Sequence, residues 1–185
     1  MTLRYPPGSI GFCHGQGFLS RVIRFGERIR FRDGSIWNHV FIITDQVNAT
    51  GEQLVIQAEG RGVTADKPLS SVASNGDYEV LDMSDSVVDV DVLCFAEGQV
   101  GERYGWLSIV SCAMRIILPR WLPMPRIRSK STWICSALGA ESLRCGGWIH
   151  MWDDIYTVVP AELYAAMKGL TLKDLPYRDF ARTDS

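Results

Sequence analysis

The stretch SIWNHVFIITD, residues 35–45, decides the reading of this chain. Val40 to Ile43 form an unbroken apolar run rich in β-branched residues, which predicts a buried β-strand. His39 stands at its mouth, directly after Asn38. A histidine held at the end of a rigid strand suits a structural role or a proton-transfer role. Proton transfer requires a partner from elsewhere in the chain.

Working outward, turn signals and periodicity divide the rest. Pro6, Pro7 and Gly8 predict a turn, and SIGFC a short opening strand. GFLSRVIRFGERIRF, residues 17–31, suits a short amphipathic helix, and RDGS a turn before the His39 strand. QLVIQAEG predicts a second strand, with Gly60 and Gly62 making a tight bend before VTADKPL. DYEVLDM predicts a third strand. SVVDVDVLCFAEGQVGERYG predicts a helix ended by glycine. TWICSALGAESLRCGG is a marked helix, with Ser131 or Thr132 as its cap, Ile134, Leu138 and Leu143 toward the core, and Gly146-Gly147 as its stop. VPAELYAAMKG predicts a further helix with Pro160 in its first turn. The fold class expected is α+β, with helices packed on a small antiparallel sheet. The chain has 185 residues, 46% of them hydrophobic. That length suits one domain, with a core over about residues 7–167 and a tail over 168–185.

The formal net charge is -2, so no global positive field points to nucleic acid. Arg21, Arg24, Arg28, Arg30 and Arg32 cluster, as do Arg120, Arg126, Arg128 and Lys130, and read as solvated faces. The segment 106–125 is strongly apolar, but Arg115 interrupts it and Pro119 ends it well short of the ~20 residues that span a bilayer. It reads as a buried or surface-lying helix, able to contact a membrane surface. The N-terminus lacks a signal-peptide layout, so the expected location is the cytoplasm.

The five cysteines are odd in number and lack CxxC spacing, which points to free thiols. Cys135 falls in the first turn of its helix, where free N–H groups and the helix dipole favour a thiolate. Cys145 lies at the opposite end of the same helix. Cys94 and Cys112 lie in apolar helical patterns and read as packing thiols. Cys13 neighbours His14, but adjacent side chains on an extended chain diverge. No ligand spacing supports a zinc site from Cys13, His14, His39 and Cys135, and no cofactor is expected. An orienting group for His39 should come from a neighbouring strand. Gln57 and Glu59 lie two apart, on one face, and either can accept the ring N–H.

The order of these pieces resembles a known layout. PGSIGF, SRVIRFGERIRF, WNHVFIIT, VIQAEGRGV…KPL, ERYGW, WICSAL and TVVPAELY are similar to the circularly permuted branch of the papain-like, NlpC-type superfamily. These are the YiiX- and YebB-like proteins, which also resemble lecithin:retinol acyltransferases. The resemblance spans roughly residues 7–167 and rests on the order of short motifs. It implies a permuted papain-like fold, with the histidine strand early and the cysteine helix late. It puts the family's histidine at His39 and its nucleophile at Cys135 of CSAL. The family's third residue is often a glutamate followed by alanine; Gln57-Ala58 stands there, with Glu59 as the other option. Tyr104 of RYGW matches a tyrosine that faces the substrate cleft.

The function implied is a cysteine hydrolase that cleaves an amide bond through an acyl-enzyme, with a peptidoglycan-type peptide as substrate. Such a protein would act on cytoplasmic wall fragments or, if phage-encoded, from the host cytoplasm or a virion. Two alternatives share the fold: a lipid-directed acyltransferase or thioesterase with the same Cys-His set, and a non-catalytic binding or virion-structural domain.

Overall fold

The computed structural model describes residues 4–14, 37–72, 77–82, 86–106, 132–148 and 155–169. The amphipathic helix expected over 17–31, both basic clusters, the apolar segment past Trp106, Cys112, His150 and the tail from residue 170 lie outside them.

Among the described residues the architecture is α+β. The strands are β1 (Ile10–Cys13), β2 (His39–Val47), β3 (Gln53–Glu59), β4 (Gly62–Pro68) and β5 (Tyr78–Leu81). They form an antiparallel sheet in the order β4-β3-β2-β1-β5. Two short strands, β6 (Arg103–Tyr104) and β7 (Thr132–Trp133), pair in parallel. The helices are α1 (Leu69–Val72), α2 (Ser86–Gly98), α3 (Cys135–Cys145) and α4 (Pro160–Lys168), with one 3-10 turn at Ile155–Thr157.

The unbroken apolar run in β2 has a simple cause: both faces of the sheet are covered. Val40, Ile42, Ile56 and Ala58 join the main core with Leu138, Leu143 and Leu163 from the helices. Phe41, Ile43, Val55, Cys13 and Leu69 form a second cluster. β2 is the central strand of the five, flanked by β3 and β1, and His39 begins it.

Three expectations need correction. VTADKPL is not merely the sequel to a bend; it is strand β4, paired with β3 from Leu54–Pro68 to Glu59–Gly62. Its Asp, Lys and Pro disfavour a strand locally, and an edge position tolerates them. Helix α3 begins at Cys135 with Ile134 in the cap position and no side-chain cap, because Thr132 belongs to β7. Cys94 is exposed, not a packing thiol, since the buried face of α2 carries Val92, Leu93 and Ala96.

No helix among the described residues is long and apolar enough to cross a membrane.

Candidate functional site

Helix α3 is unusual in composition. Cys135, Ser136, Ala137, Leu138, Gly139, Ala140, Ser142 and Leu143 are all buried. Small side chains let it approach its neighbours closely. A Cβ built on Gly139 would stand 3.1 Å from Val40 Cγ1 and 3.2 Å from Leu163 Cδ2, so the helix is seated tightly between β2 and α4. Ser136 Oγ donates to Val158 O at 2.6 Å and pins the first turn to the segment before α4. These contacts fix Cys135 at the mouth of β2.

The strand register explains how a helix residue reaches the histidine. Ile42 pairs with Ile56, and Ile43 with Val55; toward His39 the paired positions stop there. Antiparallel N–H groups alternate between edges. Ile43 N–H goes to Ser9 O on the β1 side, so the amide of Val40 faces the β3 side. That amide donates to the sulfur of Cys135, as does Ser136 N–H at the helix start. The thiol thus occupies the place where the β2–β3 ladder opens.

His39 completes the set. Its Nε2 lies 2.6 Å from Gln57 Oε1. Because the amide oxygen can only accept, Nε2 is the donor, and the ring's other nitrogen, Nδ1, is the one hydrogen-bonded to Cys135. Burial pushes the His39 ring toward the neutral form. The hydrogen bond and charge of Cys135, with the Gln57 amide and the Glu59 carboxylate, outweigh burial and raise its pKa. Burial likewise opposes ionisation of Cys135. The His39 charge and the hydrogen bonds from His39, Val40 and Ser136 reverse that and lower the thiol pKa. Both shifts favour a thiolate–imidazolium pair. Cys135 is 5% exposed, while His39 keeps partial exposure, so the pair opens narrowly to solvent.

The structure brings Cys135, His39 and Gln57 into one hydrogen-bonded chain. It does not bring Glu59 to the ring: both carboxylate oxygens face Lys67 Nζ, at 2.7 and 3.0 Å. Tyr104 is 7% exposed and packs edge-on to Trp106, with ring centroids 5.2 Å apart. Its strand pairs Tyr104 with Trp133, two residues before the cysteine. It belongs to the same core cluster as Cys135. Cys13 is fully buried, donates to Val72 O at 3.6 Å, and burial pushes its thiol up to about 12. Sequence reasoning missed the Val40 and Ser136 amides, because backbone donors leave no mark in a side-chain pattern.

Among the described residues no three His, Cys, Asp or Glu side chains are placed to hold a metal ion. Cys135 and His39 supply two donors, and the third neighbour is a neutral amide. This set does not fit a zinc centre, which needs at least three protein ligands.

No protein-family model matches the chain. No curated protein matches it either. Among solved structures, it is similar to the crystal structure of the metalloprotein YiiX from Escherichia coli O157:H7. The TM-score is 0.52 at 16% identity, over 95% of this chain and 88% of the other. The chain therefore has a YiiX-like fold.

Proposed function

We propose that the chain is a cysteine hydrolase that cleaves an amide bond, with Cys135 as nucleophile, His39 as acid and base, and Gln57 as orienter. The observation that carries this reading is the hydrogen-bonded chain from Cys135 through His39 to Gln57.

The Cys135 thiolate attacks the carbonyl carbon, and the carbonyl π electrons move onto oxygen. The uncapped start of α3 leaves N–H groups without helical partners, and that of Cys135 is the natural donor to this oxyanion. The C–N bond breaks as His39 Nδ1–H gives its proton to the leaving amine, and a thioester remains on Cys135. Water then attacks the thioester while Nδ1 takes its proton, and the thiolate leaves as the acid product forms. Throughout, Gln57 Oε1 holds Nε2–H, which fixes the tautomer and the plane of the ring. The resemblance of the sequence motifs to the permuted papain-like, NlpC-type superfamily supports a peptidoglycan-type peptide as substrate, such as a γ-glutamyl or isopeptide link. The partner is thus a peptide or other acyl compound rather than nucleic acid.

The test is incubation of the purified chain with wall-derived peptides, following new free amine by mass spectrometry. Cys135→Ala abolishes release, and His39→Ala lowers it by roughly 10²–10⁴-fold, the usual contribution of a positioned acid–base group. Release of acyl groups from lipid esters or thioesters, with wall peptides intact, would overturn the amide reading in favour of lipid-directed acyl transfer. Equal rates for wild type and Cys135→Ala would overturn both.

A further inference from the structure

The strand register and the observed bonding disagree about which residue should meet His39. Continued past Ile42–Ile56, the β2–β3 register sets His39 opposite Glu59 and Phe41 opposite Gln57. Directly opposite side chains are the nearest cross-strand neighbours. Although the pairing itself ends at Ile42–Ile56, that count puts Glu59 level with the ring, and a carboxylate is the stronger acceptor for an imidazolium. The ring nevertheless bonds to Gln57.

The reason lies on β4. Lys67 faces Val55, Thr64 faces Gln57, and Gly62 faces Glu59. Lys67 Nζ reaches both oxygens of Glu59, so the ion pair bridges from the Val55 row to the Glu59 row, across the Gln57 row between them. Gln57 beneath it is 3% exposed. Among the described residues, the titratable groups that act on His39 or stand opposite it are Cys135 from α3, Glu59 from β3 and Cys13, its register partner on β1. Of these only Glu59 is tied to a further charge on another strand.

We propose that Lys67 selects the residue that orients His39: its ion pair holds the Glu59 carboxylate toward β4 and leaves the neutral Gln57 amide as the ring's partner. Lys67 is thus a positioning residue, acting on His39 through Glu59. The inference rests on the hydrolase reading only for its consequence. A neutral orienter lets His39 release its proton to the leaving group more readily than a carboxylate would.

The test is titration of the His39 ring by NMR in histidine-labelled protein, the signal assigned with His39→Ala. Gln57→Ala removes the amide and lowers the midpoint. In Lys67→Met with Gln57→Ala, Glu59 is released to the ring and the midpoint rises by about one unit or more above that of Gln57→Ala alone. Adding Glu59→Gln cancels the rise, and Lys67→Arg, which keeps the pair, titrates as wild type. The Lys67 side chain is 41% exposed, so its replacement leaves the core intact, and Gln57→Ala is present in both proteins of the decisive comparison. A Lys67→Met, Gln57→Ala protein that titrates like Gln57→Ala overturns the proposal. The hydrolase reading fails separately, if alkylation of Cys135 in the wild type is no faster than that of an ordinary thiol.

Discussion

His39 Nε2 stands 2.6 Å from Gln57 Oε1, and the opposite ring nitrogen is bonded to Cys135. One imidazole thus links Gln57 on a strand to Cys135 on a helix, seventy-eight positions further along the chain. The predictions below test what that link does and what holds it.

The first concerns pH. Burial pushes the Cys135 thiol up, but the His39 charge and three hydrogen bonds hold it below its ordinary value of 9.0. Iodoacetamide reacts with the thiolate, so its rate at Cys135 should climb through an inflection below pH 9. His39→Ala removes the cation and its hydrogen bond and leaves the burial, so the inflection should move up. Peptide mass spectrometry separates Cys135 from the exposed Cys94 and Cys145. An unmoved inflection in His39→Ala would refute the pairing.

Gln57→Ala removes one hydrogen bond to a ring that becomes charged during turnover. Such bonds contribute about 1.5–3 kcal/mol, equivalent to roughly ten- to a hundred-fold in rate. Amide hydrolysis should fall by that factor when measured well below the thermal midpoint of the variant. A full-rate Gln57→Ala enzyme would remove Gln57 from the mechanism.

Gly139 sets the distance between α3 and β2. Gly139→Ala gains about 1 kcal/mol of helix propensity, offset by contacts of 3.1 and 3.2 Å with Val40 and Leu163, and should be close to neutral. Gly139→Val adds methyl groups with no room and should cost about 1–3 kcal/mol. Denaturant unfolding measures the stability, and alkylation of Cys135 should slow in parallel as the helix start shifts. Loss of neither in Gly139→Val would show that α3 is not seated as described.

Thr64, opposite Gln57, has a buried hydroxyl with no hydrogen-bond partner among the described residues. A buried unpaired hydroxyl costs about 1–3 kcal/mol. Thr64→Val has nearly the same shape and should stabilise the protein by about 1 kcal/mol, a rise of some 2–4 °C in melting temperature. A lower melting temperature would mean that the hydroxyl is bonded in solution.

Much of the fold was legible in local pattern. The apolar run of β2, the alternation of β3, the glycine-stopped helix α3 and the proline-started helix α4 each announce themselves within a dozen residues. β4 did not, because Asp66, Lys67 and Pro68 carry poor strand propensity. What makes that segment a strand is the β3 edge beside it. The cap of α3 was misread for a similar reason: Thr132 looks like a capping residue locally, but pairing with Arg103 draws it into β7.

For the site the division is sharper. The sequence by itself determined the chemical types and their local settings: a thiol at a helix start, an imidazole at a strand mouth, and an amide and a carboxylate two apart on the next strand. These depend on periodicity and on the helix dipole, which act over a few residues. Only the tertiary structure decided between Gln57 and Glu59. We assign that choice to Lys67, eight residues beyond Glu59 and on another strand, whose ion pair holds the Glu59 carboxylate toward β4. It likewise decided that the Val40 amide, left free where the ladder opens, serves the sulfur. Such outcomes arise from contacts between segments distant in the chain, and no local pattern encodes them.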